Sequence, residues 1–472
     1  MRFIGKWFGS LFVLALIMLV LPSLQANAST TTKFYQDGTC TDCFTSLYTG
    51  ANGNVYQLQY ETGKINALSS EGKRLWSYDF PKDHYLVVGG RGEQAMDAKG
   101  NFYIGVENNG FSNQNGVYLA SLNSKGKLNW QFKLENGGPA RPLIGTDGTV
   151  YFGSGNHTDY IGPYSESTFY AVSSKGKKKW SVKLKGDAFG STSTFDSKQN
   201  IVIHTNNDEG AWKYTISKTG KILSEKETST YAAFLDKSEN SYGIDYNSNS
   251  LVVTSKSGKK LWSYKGKEGI GIGHVTAGGT VILSNDSYTL SITKGKVNWK
   301  TKVTGSVVSS SQGLYVLNNE MNWDTNTGKL RIYLLDSKSG KIKYSSTQNF
   351  YSFQTAVHPK GYVLVSKNRT IYKVALFKEK SPALKSGQVK LTNNKSKSDT
   401  VKVTGLKKGD TIKIYNASSK GKLLATKKAS SSSTTISIKQ LGKKAGKVYL
   451  TVTRTGMSES SRTAVAFKSE KK

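Results

Sequence analysis

No stretch of this chain keeps a sustained apolar period of 3.5 or 3.6 residues, which excludes coiled-coil and long-helical architectures. Hydrophobic residues make up only 36% of the 472, below the globular norm of about 45%. Acidic residues are scarce too, 32 against 66 basic ones, for a formal charge of +34. There are two cysteines and seven prolines. Aromatic residues are plentiful at 11%, and a disordered polymer would lack them. With 48 glycines and abundant Ser, Thr and Tyr, the composition points to an all-β protein long enough for two or three domains.

Residues 1–28 read as a secretory signal. Arg2 and Lys6 supply the charged start, Leu11 to Leu21 is a nearly unbroken apolar run, and Ala26-Asn27-Ala28 offers the small-residue cleavage pattern. An apolar run of roughly 15 residues is short for a membrane span of ~20. The expectation is therefore a mature chain starting near Ser29 without a transmembrane segment, secreted or retained non-covalently at the cell surface. Cys40 and Cys43, in Thr39-Cys40-Thr41-Asp42-Cys43, are expected to form a short disulfide clip in an exported protein. Free thiols and a redox or metal site are the alternatives, but no βαβ context and no further ligands lie nearby.

A phrase of small turn, Gly-Lys, then Trp recurs and ends at Trp76, Trp130, Trp180, Trp262 and Trp299, with degenerate copies ending at Ser224 and Tyr344. Successive steps are 54, 50, 44, 38, 37 and 45 residues, the spacing of four-stranded blade repeats. Upstream of each phrase an Asn-Gly, Asp-Gly or related turn opens an alternating strand, as in Asp147-Gly148-Thr149-Val150-Tyr151. Eight such hairpins begin near residues 54, 101, 149, 200, 241, 280, 313 and 361. The eighth has no Gly-Lys-Trp strand after it, so the N-terminal strand around Lys33-Phe34-Tyr35 is expected to complete it and close the ring. Seven blades is the alternative.

The phrase Tyr170 to Trp180 resembles the tryptophan-docking repeat of quinoprotein-like, or PQQ-like, β-propellers over about residues 30 to 380, and is similar to secreted propellers of that family from Bacillus. The resemblance implies a structural role for the five tryptophans, each indole packing on a peptide near the next blade's turn, with weaker docking at Ser224 and Tyr344. It also raises a quinone-dependent dehydrogenase. Such an enzyme would carry an adjacent-cysteine disulfide over its cofactor, whereas the two cysteines here are separated and sit at the start of the ring. No cofactor is expected.

After Pro382 the composition shifts: residues 385–472 carry 21 Lys and Arg against four acids. Five alternating strands are readable there, at Thr400–Thr404, Thr411–Tyr415, Thr435–Lys439, Val448–Val452 and Thr463–Phe467, which suggests a small β-sandwich. The phrase Val403 to Ile412 resembles bacterial Ig-like modules of surface proteins from spore-forming Firmicutes. Lys alternates with apolar residues along these strands, so one face should be cationic. Lys402, Lys407, Lys408, Lys413, Lys443 and Lys444 are candidates for binding an anionic wall polymer. A merely solvated face is the competing reading, and no nucleic-acid motif accompanies the charge.

Catalytic constellations are missing from the pattern. The five histidines, His84, His157, His204, His274 and His358, fall in different repeats without metal-ligand spacing, and there is no Gly-x-Ser-x-Gly elbow. His274, in Gly271-Ile272-Gly273-His274, lies on an inner strand where it could face a channel. The turn Asn206 to Gly210 is a weak calcium candidate. The expectation is a monomeric, non-enzymatic binding scaffold: signal 1–28, propeller 29–380, basic Ig-like sandwich 385–472, with a protein or glycan partner. An extracellular lyase, hydrolase or dehydrogenase is the alternative.

Overall fold

The computed structural model describes residues 29–37, 45–50, 52–87, 94–108, 116–135, 137–155, 166–188, 193–322, 327–350, 354–367, 370–377, 380–454 and 457–470. Among these, residues 30–375 form eight antiparallel sheets, each ordered as a simple four-strand meander. Sheets 1 to 8 span 45–79, 84–133, 138–185, 193–228, 231–265, 271–301, 306–348 and 355–375. In sheets 2 and 3 the first strand is broken into two short pieces, both paired to the second strand. Sheet 8 takes its fourth strand from the N-terminus: Thr30–Gln36 lies antiparallel to Thr370–Ala375, with Thr32 opposite Lys373. The tight turns put the second strands at Val55, Phe102, Val150, Ile201, Ser241, Thr280, Gly313 and Tyr362.

Each turn is set by local chemistry. Gly148, at φ 78°, takes a backbone conformation that costs a residue with a Cβ about 1–2 kcal/mol. In three repeats an aspartate locks the same turn from its start. Asp236 accepts the Ser238 and Asn240 amides at 2.8 and 3.0 Å, and its other oxygen accepts Asn240 Nδ2 at 2.9 Å and the Tyr242 hydroxyl at 2.8 Å. Asp97 and Asp196 clasp Asn101 and Asn200 in the same way.

Burial follows strand position. Val55–Gln59 is buried at every residue, whereas the outer strand Arg74–Asp79 alternates exposed and half-buried. Middle strands are covered on both faces because neighbouring sheets stack against each other. Sheets 1 and 2 share Tyr56, Leu58, Phe102 and Ile104, sheets 3 and 4 share Phe169, Ile201 and Tyr214, and sheets 8 and 1 share Tyr362, Leu364, Leu47 and Val55. That last contact joins the end of the chain's repeats to the beginning. His358 Nε2 also lies 2.8 Å from the Gly53 carbonyl, and the Tyr362 hydroxyl donates to the Ser70 carbonyl at 2.7 Å.

The second unit is a two-sheet sandwich. One sheet holds Val389–Thr392, Asp399–Thr404 and Ser433–Ile438; the other holds Leu423–Lys428, Thr411–Tyr415, Gly446–Thr453 and Thr463–Phe467. Val389–Thr392 and Leu423–Lys428 are absent from the five strands read in the sequence: the first alternates over only four residues, and Leu423-Leu424-Ala425 breaks the alternation of the second. Val401, Val403, Ile412, Ile414, Leu450 and Val452 fill the space between the sheets. Leu384 belongs to this core, and Ser381 Oγ donates to the Ser458 carbonyl at 2.7 Å, so the connecting segment is laid onto the sandwich.

Candidate functional site

Four of the five tryptophans reach the next sheet by one geometry. Trp76, Trp130 and Trp180 donate Nε1–H to the carbonyls of Ser124, Ser174 and Lys218 at 3.0, 2.9 and 2.8 Å, each two residues before the turn glycine. Trp299 donates to Ser337 at 3.1 Å, across a turn one residue longer. The ring then lies on the glycine itself: a Cβ at Gly126 would stand 2.5 Å from the Trp76 ring, and one at Gly340 2.5 Å from Trp299. Trp262 only approaches Gly295, at 3.8 Å from an added Cβ, because its neighbour's turn is shortened to Lys294-Gly295. In sheet 7 Tyr344 packs on Phe377, with ring centres 5.4 Å apart. Phe34 takes the corresponding place on the N-terminal strand, against Gly72 of sheet 1. Ser224 puts no ring on Gly258; Lys226 reaches the Ser257 carbonyl at 3.1 Å instead.

The titratable groups singled out in the sequence stay apart. Cys40, Cys43, His157 and the signal segment 1–28 lie outside the described residues. His358 is fully buried, accepts the Lys360 amide at 3.0 Å on Nδ1, and stacks on Tyr362 at 4.3 Å. His84 Nδ1 lies 3.2 Å from the Lys82 carbonyl. His274 sits on Gly271–Val275, the first strand of sheet 6, half-buried, and burial lowers its basicity. His204 is 5% exposed and is held neutral by burial and by the charge of Lys213. In the calcium-candidate turn, Asn207 Oδ1 accepts the Glu209 and Gly210 amides and so closes the hairpin. Among the described residues no three His, Cys, Asp or Glu side chains come together as a metal site.

One open depression, of about 670 Å³, lies beside the inner strand of sheet 6. It is lined by Gly269–Gly273, Ser284–Asp286 and Gly305–Val307, and Asp286 is the one ionisable residue in it. Its walls combine four glycines with Ser284, Ser306 and the apolar Ile270, Ile272 and Val307.

The six candidate lysines of the second unit divide. Lys402, Lys407, Lys408, Lys443 and Lys444 are exposed, and none has an ion-pair partner among the described residues. Lys390 and Lys402 are cross-strand neighbours on the solvent face of the three-stranded sheet, with Thr435 next to Lys402. Lys413 differs from the expectation of one continuous cationic face. Its Nζ donates to Glu459 at 2.8 Å, and the same carboxylate accepts Tyr415 Oη at 2.8 Å and Thr451 Oγ1 at 2.6 Å. Burial raises the pKa of Glu459, but these donors outweigh it and hold the carboxyl at about 2. Arg462 covers Tyr415, 3.7 Å from the ring centre. The charge of Lys413 is thus paired internally, which strand alternation could not reveal because Glu459 lies in a loop.

A protein-family model described as outer membrane protein assembly factor BamB, built on PQQ-type repeats, matches residues 247–442. Over this stretch the chain is similar to that family's PQQ-type repeats. The match runs from sheet 5 through sheet 8 and on into the sandwich. No curated protein is similar to the chain in sequence. Among solved structures, the computationally designed Ika8 protein superposes with a TM-score of 0.51 at 12% identity, covering 73% of this chain and 99% of that one. Virginiamycin B lyase from Staphylococcus aureus, in a catalytically inactive form with quinupristin, is 12% identical at a TM-score of 0.42, covering 74% and 100%. Kluyveromyces lactis Hsv2 is 8% identical at 0.37, covering 73% and 98%. At such identities likeness speaks for the fold alone.

Proposed function

We propose that this is a secreted, non-enzymatic binding scaffold, in which the eight sheets are the blades of one closed propeller and a basic Ig-like module holds it on an anionic cell-wall polymer. The observation that carries the reading is the set of five exposed, unpaired lysines, Lys402, Lys407, Lys408, Lys443 and Lys444, on a sandwich with its own apolar core. Ammonium groups in water attract a polyanion by displacing its counterions, an attraction that salt weakens. The open, glycine-lined depression on sheet 6 supports contact of the ring with a protein or glycan. Cleavage near Ser29 and a Cys40–Cys43 clip belong to the same extracellular reading.

The test is retention of the full-length mature protein on isolated cell walls, before and after stripping of the anionic polymer, across a salt series. Binding that disappears on stripping, with added salt, and when the five lysines become glutamine supports the proposal. Retention that survives the five substitutions overturns it.

A further inference from the structure

Around the ring, apolar clusters bridge the neighbouring sheets at seven of the eight seams. Sheets 4 and 5 meet without one among the described residues. The register explains the difference. Ile201, Ile203, Tyr214 and Ile216 of sheet 4 face sheet 3, so alternation turns Val202, His204, Lys213 and Thr215 toward sheet 5, with His204 opposite Lys213. Ser224 stands opposite Thr215 and Lys226 opposite Lys213. On the other side, Tyr242, Ile244, Leu251 and Val253 face sheet 6, leaving smaller polar positions such as Ser241, Ser250 and Thr254 toward the seam.

A cavity of about 280 Å³ remains where the indole of the repeat is missing, with Val202, Leu235, Lys213, Thr215, Ser224 and Thr254 among its walls. The Gly258 turn is still shaped for a ring, at φ 92°, yet only Lys226 Nζ approaches it, 3.8 Å from an added Cβ. The acids around the cavity are largely engaged. Asp196 binds its own turn, and Glu239 is paired with Lys256 and accepts the Ser197 amide at 2.8 Å. Lys213 has no acceptor among the described residues, and burial together with Lys226 weakens its basicity. His204 is 5% exposed and its Nδ1 has no hydrogen-bond partner. Glu227, exposed and without an ion pair among the described residues, also lines the slot, and Lys213 stands there as a donor without an acceptor beside the apolar surface of Val202, Leu223 and Leu235, an arrangement that costs free energy unless something fills it.

We propose that the seam between sheets 4 and 5 binds a small aromatic carboxylate, its ring in the slot left by the absent indole and its carboxylate on Lys213. The ring lies between Val202 and Leu235 with the Lys226 ammonium near its face. The site is independent of the basic module.

Calorimetric titration of the full-length protein with indole-3-acetate tests this, with indole, acetate and inorganic phosphate as controls. One-to-one binding is expected, at least tenfold tighter than for any control. Lys213→Met should weaken it at least tenfold. Ser224→Trp, which restores the repeat's own indole, should abolish it while raising the melting temperature. Should Ser224→Trp not fold, Lys213→Met decides the matter by the same tenfold loss. No binding at millimolar indole-3-acetate, equal binding of acetate or phosphate, or unchanged affinity in the variants would overturn the proposal.

Discussion

The indole of Trp130 lies on Gly176 of the following sheet, so close that a Cβ there would stand 2.6 Å from the ring, while Nε1–H reaches the Ser174 carbonyl at 2.9 Å. The glycine serves two purposes: it accepts φ 78° and it leaves room for the ring. The sheet 4–5 seam separates them, because Gly258 keeps the positive φ without the ring.

Gly258→Ala should therefore cost only the backbone strain, about 1–2 kcal/mol. Gly176→Ala should cost ~2–5 kcal/mol, since overpacking adds about 1–3. Equilibrium urea unfolding of the two variants measures the difference, and equal losses would mean that the ring does not confine Gly176.

Asp37 ties the closing N-terminal strand to sheet 1. It is buried, and one oxygen accepts Gln59 Nε2 at 2.9 Å and Asn66 Nδ2 at 2.8 Å. Asp37→Ala strands two buried amide donors and should destabilise by about 2–4 kcal/mol. Lys360→Ala, which removes the half-exposed pair with Glu71 at the same closure, should cost at most ~1 kcal/mol. The ranking of their denaturation midpoints checks this, and a reversed order would refute it.

His204 makes stability depend on pH in a defined window. Its folded pKa is held down to about 3 by burial and by Lys213, while the unfolded side chain titrates near 6.5. Below that value the unfolded state binds the extra proton. The contribution is complete above pH 6.5 and is lost as pH falls toward 3, at about 1.4 kcal/mol per pH unit. Subtracting the stability curve of His204→Leu from that of the native protein should leave this slope; a flat difference would show that His204 is solvated.

Lys413 and the five free lysines should separate in a salt series on wall polymer. Replacing Lys413 by Gln removes a charge already paired with Glu459 and should leave the slope of log affinity against log salt unchanged. Replacing Lys402, Lys407, Lys408, Lys443 and Lys444 should flatten it. A matching effect of Lys413→Gln would place Lys413 in the binding face.

Much of the ring was legible because its signals are local. Within each repeat the turn glycine, the strand alternation and the tryptophan that ends the phrase fall within a few residues of one another, and the second strands begin within a residue or so of the expected positions. The aspartate clasp at Asp97, Asp196 and Asp236 was legible too, as Asp-x-x-x-Asn before a strand, but acids in turns were weighed as metal ligands and not as turn locks. The pairing of Lys413 was not legible because its partner Glu459 is distant in sequence.

The sequence alone determined the strand period, the repeat and the surplus of charge, since these depend on neighbours along the chain. Only the tertiary structure decided what stands against each strand's second face. Ser224 is one small residue among many until sheets 4 and 5 are brought together. There the missing indole leaves a cavity, and burial leaves Lys213 without an acceptor and His204 Nδ1 without a hydrogen-bond partner, though both residues are ordinary in the sequence. Desolvation belongs to a place in the fold and not to a residue, so no periodicity could have announced it.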